Sequence, residues 1–389
     1  MSILAKRKTD DNFEEIPVID FTDASSSNPV RRMALAERIR DACVNVGFFY
    51  SNPRLVVKNH GIPEDTIADA VEAGKKFFKL PISSKMDLDI HKAKNFKGYT
   101  ALLGENTDPT GRGDLHEGFD IGWEERESSR SISQDILSRD DSGMSGTNVW
   151  PDLPDFKEPV LSYYHSVVQL GLKLFPILAL ALDLPENFFE DKTTKPAAIM
   201  RLLHYPPQSP SMLDNDGSMI GIGAHTDYEC FTILWQDAIS ALQVKNTQGK
   251  WIDAIPIPGT FVLNIGDQLS RWTNDVFKST IHRAINKSGQ ERYSMPLFFG
   301  VDYDILLKPI PSCVSAEMPA KNKPFAVRSR CRINGACGEP HIVMLHLKSG
   351  AIWLYLMCFG PSTPFKAAYK SATTEDGSAC FLSRSKNCT

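Results

Sequence analysis

Between residues 199 and 299 the chain reads as one short strand after another, and no other stretch constrains the fold as tightly. Segments at 199–205, 220–234, 242–245, 251–254, 260–265, 279–285 and 292–299 are rich in β-branched, aliphatic and aromatic residues, and each is bounded by Gly, Pro, Asn or Asp. Short strands at this spacing, with turn formers between them, indicate a sandwich or a jelly roll. Nothing repeats at a fixed period.

The half before this run mixes both kinds of element. The IPVIDF segment at 16–21 is β-branched and runs into a Ser/Asn/Pro cluster at 25–29, so a strand and then a turn are expected. Apolar residues at Met33, Ala36, Ile39, Cys43 and Val46 recur at helical spacing and predict a helix over 30–46, stopped by Gly47. Residues 48–50 and 55–57 read as strands, and 64–78 as a second amphipathic helix after Pro63. Between 94 and 154 the composition shifts to Gly, Asp, Ser and charge. Stretches 106–114 and 124–146 have almost no apolar periodicity, so long loops of the kind that cover active sites are expected there. A long helix is expected over 156–182, where Leu161, Tyr164, Val168, Phe175, Leu178 and Leu182 build an apolar face.

Five residues in the strand-rich run carry chemistry: His225 and Asp227 in an HTD triplet, His282, and Arg292 and Ser294 in an RYS triplet. Side chains two apart on a strand share a face, so His225 and Asp227 can address one point from a single strand end. Two histidines and a carboxylate leave adjacent positions of an octahedral iron(II) open, as oxygen activation requires. A lone His-x-Asp more often caps a turn or sits on the surface. Here the glycine-rich approach at 221–224 gives close backbone access, and the continuation to 234 is apolar. His282 by itself would read as a satisfied core histidine; it gains weight from the NIGD turn at 264–267 before it and the RYS triplet after it. An arginine directed into a barrel needs an anion, and the planar fork of Arg292 matches a carboxylate bidentately.

Composition removes several alternatives. Basic residues number 43 against 47 acidic, and no basic block suits a phosphate backbone, so nucleic-acid binding has no support. The first dozen residues carry charges where a secretory leader would be apolar. The stretch nearest to a bilayer span, 342–359, is interrupted by His346 and Lys348. No membrane partner and a cytoplasmic location are therefore expected. Only Cys43 and Cys230 precede residue 300, so the body lacks a disulfide framework and suits a reducing compartment; the later cysteines, Cys313 to Cys388, lack the paired spacing of a zinc site.

Taken in order, IPVID (16–20), VKNHGI (57–62), RLLHYP (201–206), HTD (225–227), LQV (242–244), NIGD (264–267) and RYS (292–294) form a set that resembles the iron(II)- and 2-oxoglutarate-dependent dioxygenases of the isopenicillin N synthase-like family. The resemblance ends near Pro319, and its texture is similar to fungal members, thymine 7-hydroxylase-like and secondary-metabolite oxygenases among them. It implies an α+β fold: a double-stranded β-helix (jelly-roll) core with supporting helices and an N-terminal α/β extension. The implied organisation is an N-terminal region with the long supporting helix (1–195), a catalytic jelly roll (196–310) and an atypical, poorly ordered tail (325–389).

The resemblance also implies roles. His225, Asp227 and His282 would bind Fe(II) as the catalytic centre. Arg292 would pair with the distal carboxylate of the cosubstrate 2-oxoglutarate, Ser294 would hydrogen-bond it, and Tyr205 would either reach it through its hydroxyl or serve as a buried aromatic. O2 would be the oxidant and a small organic molecule the substrate, with hydroxylation the commonest outcome. Phe119 and Phe231 are candidate walls for that molecule and Arg112 and His116 candidate polar contacts, though each of the four reads more readily as structural. His60 matches a structural turn histidine of the family.

After residue 323 the resemblance lapses. Family members generally close with a C-terminal helix, whereas 328–389 has scattered cysteines, much serine and no helical period, as expected of sequence read through an intron or in a shifted frame. Two further readings follow. One is a 2-oxoglutarate-independent oxidase of the isopenicillin N synthase type, weakened by the absence of any glutamine after Gln290. The other is a metal-binding homologue impaired in catalysis, against which stands the intact ligand set.

Overall fold

A computed structural model describes residues 12–52, 61–93, 95–107, 113–124, 147–207, 220–327, 340–341 and 357–358. The chain divides into two compact units, Met1–Ile333 and Asn334–Thr389.

In the first unit, β1 (Val18–Asp20) leads to α1 (Pro29–Asn45). The Asn28 side chain accepts the Val30 N–H and Pro29 occupies the first turn, which together set where that helix begins. Gly47 turns the chain into β2 (Phe48–Asn52) with φ +76°, and a Cβ there would stand 2.3 Å from the Lys278 carbonyl oxygen, so the turn requires glycine. α2 (Glu64–Phe78) has Glu64 and Asp65 in its first turn and Lys75 and Lys76 in its last, each complementing the helix dipole. The short α3 (Ile82–Met86) is followed by β3 (Gly98–Thr100) and β4 (Glu117–Ile121). Only loops were expected in that region. Polar residues conceal β4 from an apolar pattern, and the fold neutralises them individually: Glu117 by Lys85 and His204, Asp120 by Arg201.

α4 (Lys157–Ala181) then precedes β5 (Ala198–Tyr205), β6 (Ile220–His225), β7 (Phe231–Gln236), β8 (Leu242–Lys245), β9 (Trp251–Asp253), β10 (Phe261–Ile265), α5 (Asp267–Trp272), β11 (His282–Ile285) and β12 (Arg292–Phe299). The segment expected as one strand at 220–234 is two, β6 and β7. Residues 226–230 turn between them because the first turn of α5, itself unforeseen, captures their carbonyls: Gly266 N–H donates to Cys230 O, Asp267 N–H to Asp227 O and Gln268 N–H to Tyr228 O.

The larger sheet has the order β1-β2-β10-β7-β12-β5-β4-β3 and the smaller β6-β11-β8-β9. One face of the larger sheet packs on α1, α2 and α4 in the main core. The opposite face meets the smaller sheet, with Leu203 and Tyr205 against Ala284, and Phe48, Tyr50 and Val262 against Leu242 and Val244. This is the expected jelly roll with supporting helices. Strands from the first 195 residues, β1 and β2 on one side and β3 and β4 on the other, flank the four central strands of the larger sheet.

α4 corrects one further expectation. Among the described residues it is the helix long and apolar enough to cross a bilayer, a segment the sequence reading did not single out as such; 342–359 lies almost wholly outside the described residues. In the fold it is a core helix: Val160, Tyr164, Val167, Leu174 and Leu178 are buried, and it packs on α1, α2 and β12. Gly171 permits that approach, since a Cβ there would stand 2.4 Å from the Phe299 ring.

Near the end of this unit β13 (Leu306–Leu307) pairs with β14 (Phe325–Ala326), and Val327 is buried in the main core. In the second unit β15 (Pro340–His341) pairs antiparallel with β16 (Met357–Cys358). Apart from 325–327 and these two strands, the tail expected at 325–389 lies outside the described residues, as do the strand expected at 55–57 and most of 124–146.

Candidate metal and cosubstrate site

His225 is the last residue of β6, Asp227 lies in the turn beyond it, and His282 opens β11, which pairs antiparallel with β6 so that His282 stands opposite His225. Both imidazole Nε2 atoms lie 3.6 Å from Asp227 Oδ1. One ligand atom from each of the three falls within 4.8 Å of the others.

The surroundings orient all three donors inward. His225 Nδ1 lies 2.8 Å from the Gly223 carbonyl oxygen and His282 Nδ1 lies 3.1 Å from that of Thr280. A carbonyl only accepts, so each Nδ1 carries the proton and each Nε2 presents a lone pair. On Asp227, Oδ2 accepts from Asn264 Nδ2 at 2.7 Å and from the Thr232 hydroxyl, which leaves Oδ1 facing the histidines. Phe48 meets the His282 ring edge-on with centroids 5.2 Å apart and limits its rotation. Burial alone would raise the Asp227 carboxyl, but without a metal the two histidine rings beside it, when protonated, hold it well below the ordinary carboxylate range. These residues fit a divalent iron: three ligand atoms of the right kind, each fixed by a second hydrogen bond.

Beside this group, Arg292 and Ser294 lie on β12, both 1 % exposed, and Tyr205 on β5 is 2 % exposed. Tyr205 pairs with Arg292 across the strands, and the guanidinium sits 4.7 Å from the Tyr205 ring centroid. Arg292 donates to Ile239 O at 3.2 Å, to Ser294 Oγ at 3.3 Å and to Gln236 Oε1 at 3.1 Å. No carboxylate pairs with it among the described residues. A buried guanidinium held only by neutral acceptors is strongly disfavoured unless an anion joins it, so the donors present fit a carboxylate ligand.

Other expected contacts move. Phe119, fully buried, packs on Phe77 and Phe156 beneath the helices, and Phe231 stacks on Phe299 beside Phe175. Strand alternation turns both away from the smaller sheet, so neither lines the pocket. His116 does lie at the site: its Nδ1 is 2.8 Å from the Gly221 carbonyl oxygen and its Nε2 is 3.2 Å from Glu105. His60 and Arg112 fall outside the described residues. Sequence reasoning gave no role to Thr232, Asn264 or Gln236. Asn264 alone had a signal, as the first residue of the NIGD stretch.

The 2OG-Fe(II) oxygenase superfamily model matches residues 196–301, and a model for the N-terminal region of non-haem dioxygenases in morphine synthesis matches 16–153. The chain is 36% identical over 322 residues to the 2-oxoglutarate-Fe(II) type oxidoreductase hxnY of Emericella nidulans, covering 81% of this chain and 88% of that protein. The chain belongs to the 2OG-Fe(II) oxygenase superfamily. Similar proteins also include the homoarginine-6-hydroxylase 2-ODD-C23.1 of Arabidopsis thaliana, 36% identical over 314 residues, 78% of this chain and 89% of that one. The crystal structure of a full-length Neurospora crassa protein in complex with alpha-KG and 5-formyluracil aligns at a TM-score of 0.69 with 26% identity, over 84% of this chain and 100% of that one. The corresponding complex with alpha-KG and thymine aligns at a TM-score of 0.68 with 26% identity, over 82% of this chain and 98% of that one.

This oxygenase therefore has the jelly-roll fold, uses Fe(II), 2-oxoglutarate and O2, and couples cosubstrate turnover to oxidation of a second compound. The 2-oxoglutarate-independent and catalytically impaired alternatives are not favoured by this kinship.

Proposed function

We propose that His225, Asp227 and His282 hold the iron, that Arg292, Ser294 and Tyr205 hold 2-oxoglutarate, and that the enzyme hydroxylates a small organic molecule in the cytoplasm. The observation that carries this reading is the convergence of three ligand atoms within 4.8 Å, on the barrel face that also holds an Arg292 without a carboxylate partner among the described residues. When bound, iron(II) supplies oxygen activation, with 2-oxoglutarate going to succinate and carbon dioxide as a C–H bond of the substrate is oxidised. The chain's own residues bind and orient. Thr232 and Asn264 hold Oδ2 of Asp227 so that Oδ1 faces the two histidines. The Arg292 fork and the Ser294 hydroxyl offer N–H and O–H donors to one carboxylate, and the Tyr205 ring lies under the guanidinium.

Residues 196–310 serve as the catalytic jelly roll in this reading and 1–195 as its support. Cys43, Cys230 and Cys313, buried free thiols, suit the reducing cytoplasm. A relative named for homoarginine hydroxylation and a related structure holding thymine support a small, nitrogen-bearing substrate. The test is succinate release from iron-loaded protein given 2-oxoglutarate and O2. Iron-dependent release that disappears in Asp227→Ala is expected; equal release from that variant would overturn the ligand assignment.

A further inference from the structure

β6 carries the proposed iron ligand His225 as its last residue, yet it is an edge strand of the smaller sheet, in the order β6-β11-β8-β9. Its pairing with β11 is irregular. Ile220, Ile222 and His225 have partners in register, Gly221 and Gly223 do not, and the register shifts on both sides of Ala284. A glycine-rich edge strand paired in this way fixes its last side chain poorly unless something holds its other edge.

Asp114 and His116 hold it. The Gly223 N–H donates to Asp114 Oδ1 at 3.1 Å, and His116 Nδ1 lies 2.8 Å from the Gly221 carbonyl oxygen. A carbonyl only accepts, so Nδ1 is the donor. Two side chains two positions apart thus meet two strand residues two positions apart, one side chain accepting and the other donating. They stand in for a neighbouring strand. Both are 2% exposed, and both are themselves fixed. Thr107 donates to the Asp114 carboxylate through its N–H at 3.0 Å and its hydroxyl at 2.9 Å, and Glu105, bound by Arg201, stands 3.2 Å from His116 Nε2. Gly221 lies so close to Tyr205 that a Cβ there would stand 2.8 Å from the ring, so no side chain at that position could replace the bond from His116. From Gly223 the hold reaches the metal site in one step: its carbonyl oxygen lies 2.8 Å from His225 Nδ1 and sets the rotation and tautomer of that ring.

We propose that Asp114 and His116 are positioning residues for the iron site, which together hold the outer edge of β6 and, through the Gly223 carbonyl, aim His225 Nε2 at the metal. This rests on the ligand reading above. The test is anaerobic titration of the full-length, metal-free protein with Fe(II), and with Co(II), whose visible absorption responds to the geometry of its ligands. Asp114→Ala and His116→Phe should each weaken Fe(II) binding about tenfold, the low end of what loss of an outer hydrogen bond costs, and should alter the Co(II) spectrum at saturation. Asp114→Asn, which keeps an oxygen for the Gly223 N–H, and His116→Asn, which keeps an N–H near the Nδ1 position, should recover most of both. A merely structural role leaves the Co(II) spectrum of the folded, saturated variant unchanged. That result, parental Fe(II) affinity in the first two variants, or asparagine variants as impaired as those two, overturns the inference. Where a variant fails to fold, hydrogen exchange in the unaltered metal-free protein decides: the Gly223 N–H should exchange as slowly as the β6 amides paired with β11, and exchange at the rate of an open strand edge overturns the proposal. Fe(II) binding unaffected by Asp227→Ala overturns the ligand reading itself, and this inference with it.

Discussion

The Asn264 side-chain amide stands 2.7 Å from Asp227 Oδ2, on a strand that leads directly into the helix whose first N–H groups hold the Asp227 turn. One stretch, 264–268, thus acts on both the orientation of Asp227 and the geometry of its turn, with the Thr232 hydroxyl holding the same carboxylate oxygen. The group that sets the direction of the proposed acidic ligand lies outside the proposed ligand set.

Asn264→Ala should therefore weaken iron binding without unfolding the chain. Loss of such a supporting hydrogen bond typically lowers metal affinity about 10–100-fold. Titration of the metal-free protein with Fe(II) under anaerobic conditions reads it directly, and Thr232→Val should act in the same direction. Wild-type affinity in both variants would remove the orienting role.

Arg292→Ala should cost about 2–5 kcal/mol of 2-oxoglutarate binding, as expected for removal of one partner of a buried charge pair. Arg292→Lys should recover only part of it, because an ammonium cannot reproduce the planar fork. Calorimetric titration of 2-oxoglutarate checks both; unchanged affinity in the alanine variant counts against the assignment.

Lys85 and Glu117 form an ion pair at 2.6 Å with side chains only 8% and 9% exposed, and Glu117 also accepts from Tyr99 and His204. Burial would raise the Glu117 carboxyl, but His204, Lys85 and Tyr99 outweigh it and hold the group below its ordinary value of 4.5. A carboxyl depressed in the folded state adds stability above the unfolded value, and that stability is lost as pH falls through the folded value. Glu117→Gln should therefore be less stable than the parent at neutral pH, with the difference shrinking below about pH 4. Chemical unfolding at a series of pH values tests this; a difference independent of pH would refute it.

Gly171→Ala should destabilise the fold by about 1–3 kcal/mol, the usual cost of inserting a methyl into a filled core. The added carbon would meet the buried Phe299 ring at 2.4 Å. Gly171→Ala combined with Phe299→Leu should be less destabilised than the sum of the single changes, since the smaller side chain frees the space. Thermal unfolding of the four proteins completes the cycle, and strict additivity would mean that the contact is relieved elsewhere.

Much of this was legible because it is local. The 64–78 helix was expected with the limits it has, since its apolar period, the preceding Pro63 and its terminal charges agree. β5, β8, β10 and β12 also fall where alternation and turn residues placed them. β3 and β4 were missed because Glu117 and Asp120 break an apolar pattern, and partners 32 and 81 positions away in sequence neutralise them. Phe119 could be read from sequence as a candidate wall or, more readily, as structural, because adjacent strand residues face opposite ways and which face meets helix or cavity depends on what packs on the sheet.

By itself, the sequence determined the strand-rich class of the fold, the residue types fit for iron and for a carboxylate, and their order along the chain, all properties of short-range periodicity and side-chain chemistry. The tertiary structure alone decided that His282 stands opposite His225, that Asn264 and Thr232 turn Asp227 toward them, and that Glu105 and Asp120 converge on Arg201. These are pairings between strands and loops distant in sequence, set by sheet register and packing, and no local pattern specifies which distant partner arrives.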